Sequence, residues 1–108
     1  MKRKTIRNHK DFFVPSDNPM AHCSYFIVKS KDAVKKDARY GIIASKRTFK
    51  LAVQRNRAKR LLRDWIAFNE DLMLPNKDYV FIARADILVC PREIGRKKLA
   101  DALKKNSK

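Results

Sequence analysis

Three short runs of apolar residues predict the strands of a sheet. Residues 24–29 and 39–45 are rich in aromatic and β-branched residues and have polar ends, a pattern typical of strands. Residues 78–84 form a third run of the same kind. Because only the charged loop at residues 30–38 separates the first two runs, we expect these two strands to pair as a hairpin.

A longer segment at residues 54–69 follows a helical period instead. Each residue of a helix advances about 100° around the axis, which places the apolar residues of this segment on one side. These residues are Ala58, Leu61, Leu62, Trp65 and Ile66. No clear capping residue marks the start, so we expect the helix to begin between residues 48 and 54.

Two weaker patterns complete the predicted fold. Residues 92–105 place Ile94, Leu99, Ala102 and Leu103 on one side of a second helix, and Pro91 suits its first position. Residues 11–14 fit one helical turn that Pro15 ends. The order is helical turn, strand, strand, helix, strand, helix. It predicts one α+β domain over residues 1–108, a two-layer sandwich with helices packed on a sheet.

The distribution of charge indicates the class of partner. Lys and Arg number 27 and Asp and Glu number 11, which gives a formal net charge of +16. Residues 38–63 hold nine Lys or Arg and no acidic residue. A basic surface kept only for solubility does not require this exclusion, so the pattern favours a nucleic-acid partner. Residues 1–10 are polar and cationic, and we expect a flexible basic arm there.

The polar residues of the helix at residues 54–69 are gathered into one stripe about 100° wide. The stripe consists of Asn56, Lys59, Arg60 and Arg63. A solvated helix face is the alternative interpretation. However, Asn has a poor helix propensity, and the flanking Arg55 and Arg57 add repulsion that something must compensate. Arginine binds phosphate in bidentate fashion and Asn can bond a base edge or a 2′-hydroxyl, so the stripe favours RNA contact.

Side chains suited to catalysis or metal binding are few. His9 and His22 have no carboxylate at an informative spacing, which favours ordinary histidines over an acid–base pair. Cys23 and Cys90 lack the C-x-x-C spacing and, together with His22, are too few for a structural zinc site. We expect both cysteines to be free thiols. The sequence therefore predicts no catalytic residue, no metal site and no cofactor bound by this chain.

The cellular setting follows from the absence of long apolar runs in the sequence. The apolar stretches are far too short to span a membrane, and the basic N-terminus is not followed by the apolar segment of a secretory signal. We expect a cytoplasmic protein with no membrane partner.

The aromatic residues divide into two groups. Those at apolar positions of the predicted elements, which we expect in the core, are Tyr40, Trp65, Tyr79 and Phe81. Those close to basic residues are Phe12, Phe13, Tyr25 and Phe26. Exposed rings beside cations stack on single-stranded nucleic acid, at about 1–3 kcal/mol per base. Because one face of the first strand must point to the core, only part of the second group can act as such a platform.

Several motifs together resemble a known family. They are Ser45-Lys46-Arg47, the sequence RNRAKRLLRD at residues 55–64 and the sequence DYVFIAR at residues 78–84, with RYGIIA at residues 39–44 before them. In this order they closely resemble the bacterial ribonuclease P protein component, over about residues 8–105. The spacing Arg-Asn-Arg-x-Lys-Arg-x-x-Arg is much more specific than a generic arginine-rich patch.

The resemblance implies a fold and a function. The fold would be an α+β sandwich of about four strands and three helices with a left-handed βαβ crossover, like domain 2 of ribosomal protein S5, although about 98% of such connections are right-handed. The protein would be the noncatalytic subunit of a ribonucleoprotein whose RNA holds the active site and its Mg²⁺ ions. The complex removes the 5′ leader of precursor tRNA. The implied partners are therefore the catalytic RNA and precursor tRNA, and no obligate protein partner is evident.

The resemblance also implies roles for single residues. The residues that would contact RNA are Arg55, Asn56, Arg57, Lys59, Arg60 and Arg63, supported by Ser45, Lys46 and Arg47. The residues that would line an aromatic groove for the leader are Phe12 with some of Tyr25, Phe26 and Val28. The first helix of the family runs longer than Pro15 and Pro19 permit here, so this groove departs from the family pattern. The alternative function is a structural RNA-binding module, such as a small ribosomal protein, which needs no groove.

Overall fold

The computed structural model describes residues 3–33 and 38–106. The strands are β1 (Lys4–Thr5), β2 (Met20–His22), β3 (Phe26–Asp32), β4 (Arg39–Ile43) and β5 (Lys77–Ala83). The α-helices are α1 (Ala52–Phe68) and α2 (Arg92–Asn106), and short 3₁₀ helices lie at His9–Phe12, Glu70–Leu72 and Ala85–Val89. None of the helices in the described ranges is long and apolar enough to cross a membrane.

The strands form a single sheet with the order β1-β4-β5-β3-β2. β4 pairs parallel with β1 and β5, whereas β3 pairs antiparallel with β5 and β2. The predicted α+β class is confirmed, but the expected four strands and three helices are wrong, since the described residues form five strands and two α-helices. β1 and β2 lie in mostly polar segments that lack apolar alternation. The expected first helix is only a 3₁₀ helix at His9–Phe12.

The predicted hairpin of β3 and β4 is also wrong, because β5 lies between these strands. Tyr79 of β5 is opposite Ser30 of β3 on one side and Tyr40 of β4 on the other. The cause is α1, which connects the end of β4 to the start of β5 and sets these two strands side by side in parallel. Residues 34–37 of the intervening loop lie outside the described residues.

Alternation along the strands gives the sheet two apolar faces. The face beneath α1 and α2 carries the main core, in which Phe26, Val28 and Phe81 are fully buried together with Trp65. The predicted core positions of Tyr40 and Tyr79 are confirmed. On the opposite face a smaller cluster contains Ile6, Val14 and Val80, with Phe12, Ile43 and Ile82 packed against it. The chain before β2 therefore covers the second face.

Gly95 permits the close packing of α2 on α1. A Cβ atom at this position would overlap the indole ring of Trp65, so only a hydrogen atom fits there. Leu99, Ala102 and Leu103 are buried as predicted. Ile94 is 43% exposed, contrary to prediction, because α2 turns the neighbouring Gly95 toward the core instead.

Arg3 anchors the N-terminal segment to the start of β5 and to the loop before it. Its guanidinium donates to the carbonyl oxygens of Leu74, at 2.6 Å, and Lys77, and lies 5.4 Å from the centre of the Tyr79 ring. In this structure the basic arm expected over residues 1–10 contacts the sheet from Arg3 onward, and its flexibility stays a prediction. Residues 1 and 2 lie outside the described residues.

Candidate nucleic-acid interface

The loop between β4 and α1 presents two cations on a fixed turn. Ser45 Oγ accepts the Thr48 N–H at 3.2 Å and lies 3.1 Å from Thr48 Oγ1. The Phe49 N–H donates to the Ser45 carbonyl oxygen at 2.9 Å, and the Phe49 ring is buried. Lys46 and Arg47 lie inside this turn and are exposed. Ser45 thus closes the turn, and its two basic neighbours face solvent.

Arg55 connects this turn to the first turn of α1. Its Nη1 donates to the carbonyl oxygens of Phe49, at 2.9 Å, and Lys50, at 3.3 Å. Because the guanidinium is engaged with the backbone and the side chain is half-buried, Arg55 is suited to hold the turn in place. The exposed cations on either side of it can then act as one surface.

α1 separates an apolar side from a cationic side. Its buried residues are Ala58, Leu62, Trp65 and Ile66. Its exposed polar residues are Asn56, Arg57, Arg60 and Arg63, and Lys59 is half-buried. The helix begins at Ala52, within the predicted interval. The structure therefore brings the stripe, Arg57 and the 45–47 turn onto one accessible surface, which we call the basic face.

The basic face borders a cavity of about 130 Å³ at the edge of the sheet. Lys59 and Arg63 of α1 line one side of it, and Phe12, Tyr40 and Gly41 line the others. Burial raises the pKa of the Tyr40 hydroxyl, and the Arg63 charge partly opposes that shift. The cavity therefore places two cations and an aromatic ring at one site, which suits a nucleotide.

Phe12 is held by the turn that contains it. The Asp11 carboxylate accepts from Arg39 Nη1 at 3.0 Å, and Lys31 Nζ donates to the carbonyl oxygens of Asp11, at 2.7 Å, and Phe13, at 2.8 Å. The ring lies so close to Gly41 that a Cβ atom there would overlap it. The contacts from β3 and β4 thus fix the turn on the second face of the sheet.

Comparison with known proteins places the chain in a family. The family model described as Ribonuclease P matches residues 1–107. The chain belongs to the ribonuclease P protein family. The ribonuclease P protein components of Desulforapulum autotrophicum and Nitratiruptor sp. are 36% and 37% identical to it over 81 and 86 residues. These matches cover 75% and 79% of this chain, and 68% and 75% of the two relatives.

A shorter sequence match and two solved structures agree with this family. The ribonuclease P protein component of Pseudomonas entomophila is 50% identical over 46 residues, which is 43% of this chain but only 34% of that relative. The match thus spans about a third of the relative's length. The Staphylococcus aureus RNase P protein superposes with a TM-score of 0.76 and 27% identity, over 95% of this chain and 94% of that one. The Thermotoga maritima RNase P protein superposes with a TM-score of 0.77 over 94% of this chain and 96% of that one. Because its identity to this chain is 24%, it supports the fold alone.

The structure does not bring the predicted groove residues of this ribonuclease P family protein together on one accessible surface. Phe26 and Val28 are fully buried on the helix side of the sheet, where Phe26 packs 6.2 Å from Trp65 between ring centres, so neither side chain is accessible to a leader in this structure. Tyr25 is half-buried against the same core. Phe12 lies on the opposite face. Strand alternation explains this placement, because Phe26 and Val28 are turned toward the helices while Ile27 between them is turned to the other face.

Phe13 is among the aromatic residues near cations in the sequence, but it is not one of the predicted groove residues. It is 70% exposed, directly after the fixed Phe12, and its carbonyl oxygen accepts from Lys31. The pair of aromatic residues before Pro15 is the signal that could have identified it. On the same face, β3 presents the half-buried Ile27, Lys29 and Lys31 in place of the predicted residues.

The cysteines and His22 do not form a site. Cys23 and Cys90 are free thiols, and burial raises the pKa of the Cys90 thiol. Among the residues that the structure describes, no group of three or more His, Cys, Asp or Glu side chains is arranged to hold a metal ion. The side chain of His9 lies outside the described set.

Proposed function

We propose that this chain is the protein subunit of a ribonuclease P ribonucleoprotein, which removes the 5′ leader of precursor tRNA in the cytoplasm. The observation that carries the proposal is the basic face, where the exposed Arg side chains of α1 and the half-buried Lys59 accompany Asn56 in a chain of this family. Its partners are then the catalytic RNA and precursor tRNA. This combination favours a ribonuclease P subunit over a structural module such as a small ribosomal protein.

The residues of the basic face divide into contacting and positioning roles. Those suited to contact phosphates and base edges of the RNA are Lys46, Arg47, Asn56, Arg57, Lys59, Arg60 and Arg63. Ser45 and Arg55 hold the turn and α1 in register through their backbone hydrogen bonds. An Asn in the middle of a cationic surface adds a group that both donates and accepts, which distinguishes RNA edges from bare phosphate.

Phe12 and Phe13 are the proposed contacts for the single-stranded leader. Phe12 borders the cavity that also contains Lys59 and Arg63, so a leader base near Phe12 would have its phosphate near α1. The exposed ring of Phe13 extends this surface. The proposal thus keeps Phe12, leaves out Phe26 and Val28, and gives Tyr25 no leader role.

In this proposal no side chain of the protein breaks the phosphodiester bond. The RNA would hold the Mg²⁺ ions that activate water, while the protein supplies positive charge and positions the leader. The parallel β4-α1-β5 unit would have the left-handed connection that the family resemblance implies, which an experimental structure would test.

Reconstitution tests the function. The full chain is mixed with a bacterial ribonuclease P RNA and precursor tRNA at a Mg²⁺ concentration too low for the RNA alone, and leader release is measured. We expect wild-type protein to restore cleavage and Arg60→Ala to restore less. Lys105→Ala, a matched removal of an exposed cation from α2, is the control and should behave as wild type. Binding of the RNA without any stimulation of cleavage would instead support the structural-module alternative.

A further inference from the structure

Three side chains at the junction of α1 and α2 form an ordered cluster outside the core. The Asp64 carboxylate accepts from Arg96 twice, with Nε–Oδ2 at 3.2 Å and Nη2–Oδ1 at 3.1 Å. The same guanidinium lies 4.3 Å from the centre of the Phe68 ring. Asp64 and Phe68 are one turn apart on α1, so a single Arg side chain contacts both. The cluster therefore holds the Phe68 ring in one orientation.

Phe68 is held in this way although it has no place in the core. The residue is 62% exposed although the Arg96 guanidinium lies over its ring, so a large part of the ring is accessible. A cavity of about 250 Å³ lies beside the ring, between Phe68 and the α2 residues Glu93, Lys97 and Ala100. A ring that is already fixed loses little conformational entropy when a planar group stacks on it.

The charges around the ring favour an anionic ligand. Arg92 and Arg96 both lie within 4.0 Å of the Asp64 carboxylate, so that single acidic group is shared between two cations. At the cavity itself, Arg96 and Lys97 provide two cations against one carboxylate from Glu93. A neutral apolar protein surface would bury these cations without a counter-charge, at a considerable desolvation cost. A nucleotide, in contrast, has both a planar base for the ring and a phosphate for the cations.

The cluster also continues the basic face. Phe68 follows Arg60 by eight residues on the same helix, which places it about 12 Å further along the axis and about 80° around it. A strand of RNA that contacts Arg60 would thus reach the ring within a few nucleotides. The ring stands at the end of the basic face.

We infer that Phe68 is a stacking site for an unpaired nucleobase of the RNA that binds the basic face. Arg96 acts as the positioning residue that orients the ring, and Arg92 and Lys97 face the adjoining phosphates. This inference rests on the proposed function, because it adds a contact to the same RNA.

The test measures binding of the full chain to a ribonuclease P RNA transcribed in vitro, at several salt concentrations. Phe68→Ala should weaken binding about 5- to 150-fold, the cost of one lost stacking contact, and should leave the salt dependence unchanged because no charge is removed. Phe68→Trp should bind as wild type, whereas Phe68→Leu should be as weak as Phe68→Ala, since an aliphatic chain does not stack. Val89→Ala, a truncation of an apolar side chain that is 80% exposed and therefore even more accessible than Phe68, is the control and should bind normally.

Two results would overturn the inference while leaving the proposed function intact. One is wild-type affinity for Phe68→Ala, and the other is full affinity for Phe68→Leu, which would indicate an apolar contact without stacking. Failure of the wild-type chain to bind this RNA at all would overturn both the inference and the proposed function. Thermal melts of each variant confirm folding, which is expected because the ring is outside the core.

Discussion

Replacement of Arg39 by Ala should destabilise the fold far more than its position in a basic protein suggests. Asp78 is fully buried, and its Oδ1 accepts the Arg39 N–H at 2.7 Å while its Oδ2 lies 3.5 Å from Arg39 Nη2. Arg39 is 6% exposed and also pairs with Asp11. Arg39→Ala therefore leaves the Asp78 carboxylate buried without its counter-charge, at a cost of about 3–5 kcal/mol.

The comparison that isolates this effect is the double variant Arg39→Ala with Asp78→Ala. Removal of both charges takes away the uncompensated carboxylate. The free energy of unfolding lost by the double variant should therefore be smaller than the sum of the losses of the two single variants, by about 0.5–3 kcal/mol. The control is Lys77→Ala, which breaks the 2.6 Å pair with Asp32, a side chain that is 87% exposed. That exposed pair should contribute at most about 1 kcal/mol.

Urea unfolding of the wild-type protein, Arg39→Ala, Asp78→Ala, the double variant and Lys77→Ala gives these free energies directly. The reasoning would be refuted by an Arg39→Ala variant that loses no more stability than Lys77→Ala. Strict additivity of the double variant would also refute it, because the loss would then be packing of the Arg39 side chain rather than the unpaired charge of Asp78.

Other outcomes follow from the two sides of α1, from the turn at Phe12 and from the thiols. Leu62→Ala should lower the free energy of unfolding by about 2–5 kcal/mol. Arg60→Ala should change it by about 0.5 kcal/mol or less and should weaken RNA binding instead. Melting curves measure the first effect and filter binding measures the second. Phe12→Ala should weaken binding of precursor tRNA more than of mature tRNA, and equal losses in a competition assay would remove the leader contact. Cys90 should resist alkylation at pH 8 in the folded protein, because burial raises its pKa and restricts access; rapid labelling under native conditions, followed by mass spectrometry, would contradict this.

The features that the sequence predicted correctly, such as the two sides of α1, depend on local periodicity. The helical period separated Leu62 and Trp65 from Arg60 and Arg63 correctly, because a 17-residue helix repeats its pattern several times. Strand β3 has only seven residues, and its first three, Phe26, Ile27 and Val28, are all apolar. Their pattern does not show which face is turned to the core, although an apolar core is the stronger expectation for aromatic and β-branched residues.

Nonlocal pairing could not be predicted from local pattern. The position of β5 between β3 and β4 depends on how α1 crosses the sheet, and β1 is a strand only because β4 offers a free edge. The anchoring of Arg3 likewise depends on carbonyl oxygens more than 70 residues away. The exposure of Phe13 and Phe68 likewise depends on how the elements pack, which the local sequence does not show.

The packing of Gly95 against Trp65 determines what intrinsic fluorescence can report. Trp65 is the only tryptophan of the chain and is fully buried, and its indole Nε1 has no hydrogen-bond partner. Its emission in the folded protein should therefore be that of a dry, apolar environment. Occupation of the opposite side of α1 by a polyanion would leave this spectrum unchanged, whereas separation of α2 from α1 would shift it to longer wavelength. The chain thus contains its own probe of helix docking, which is insensitive to ligand binding.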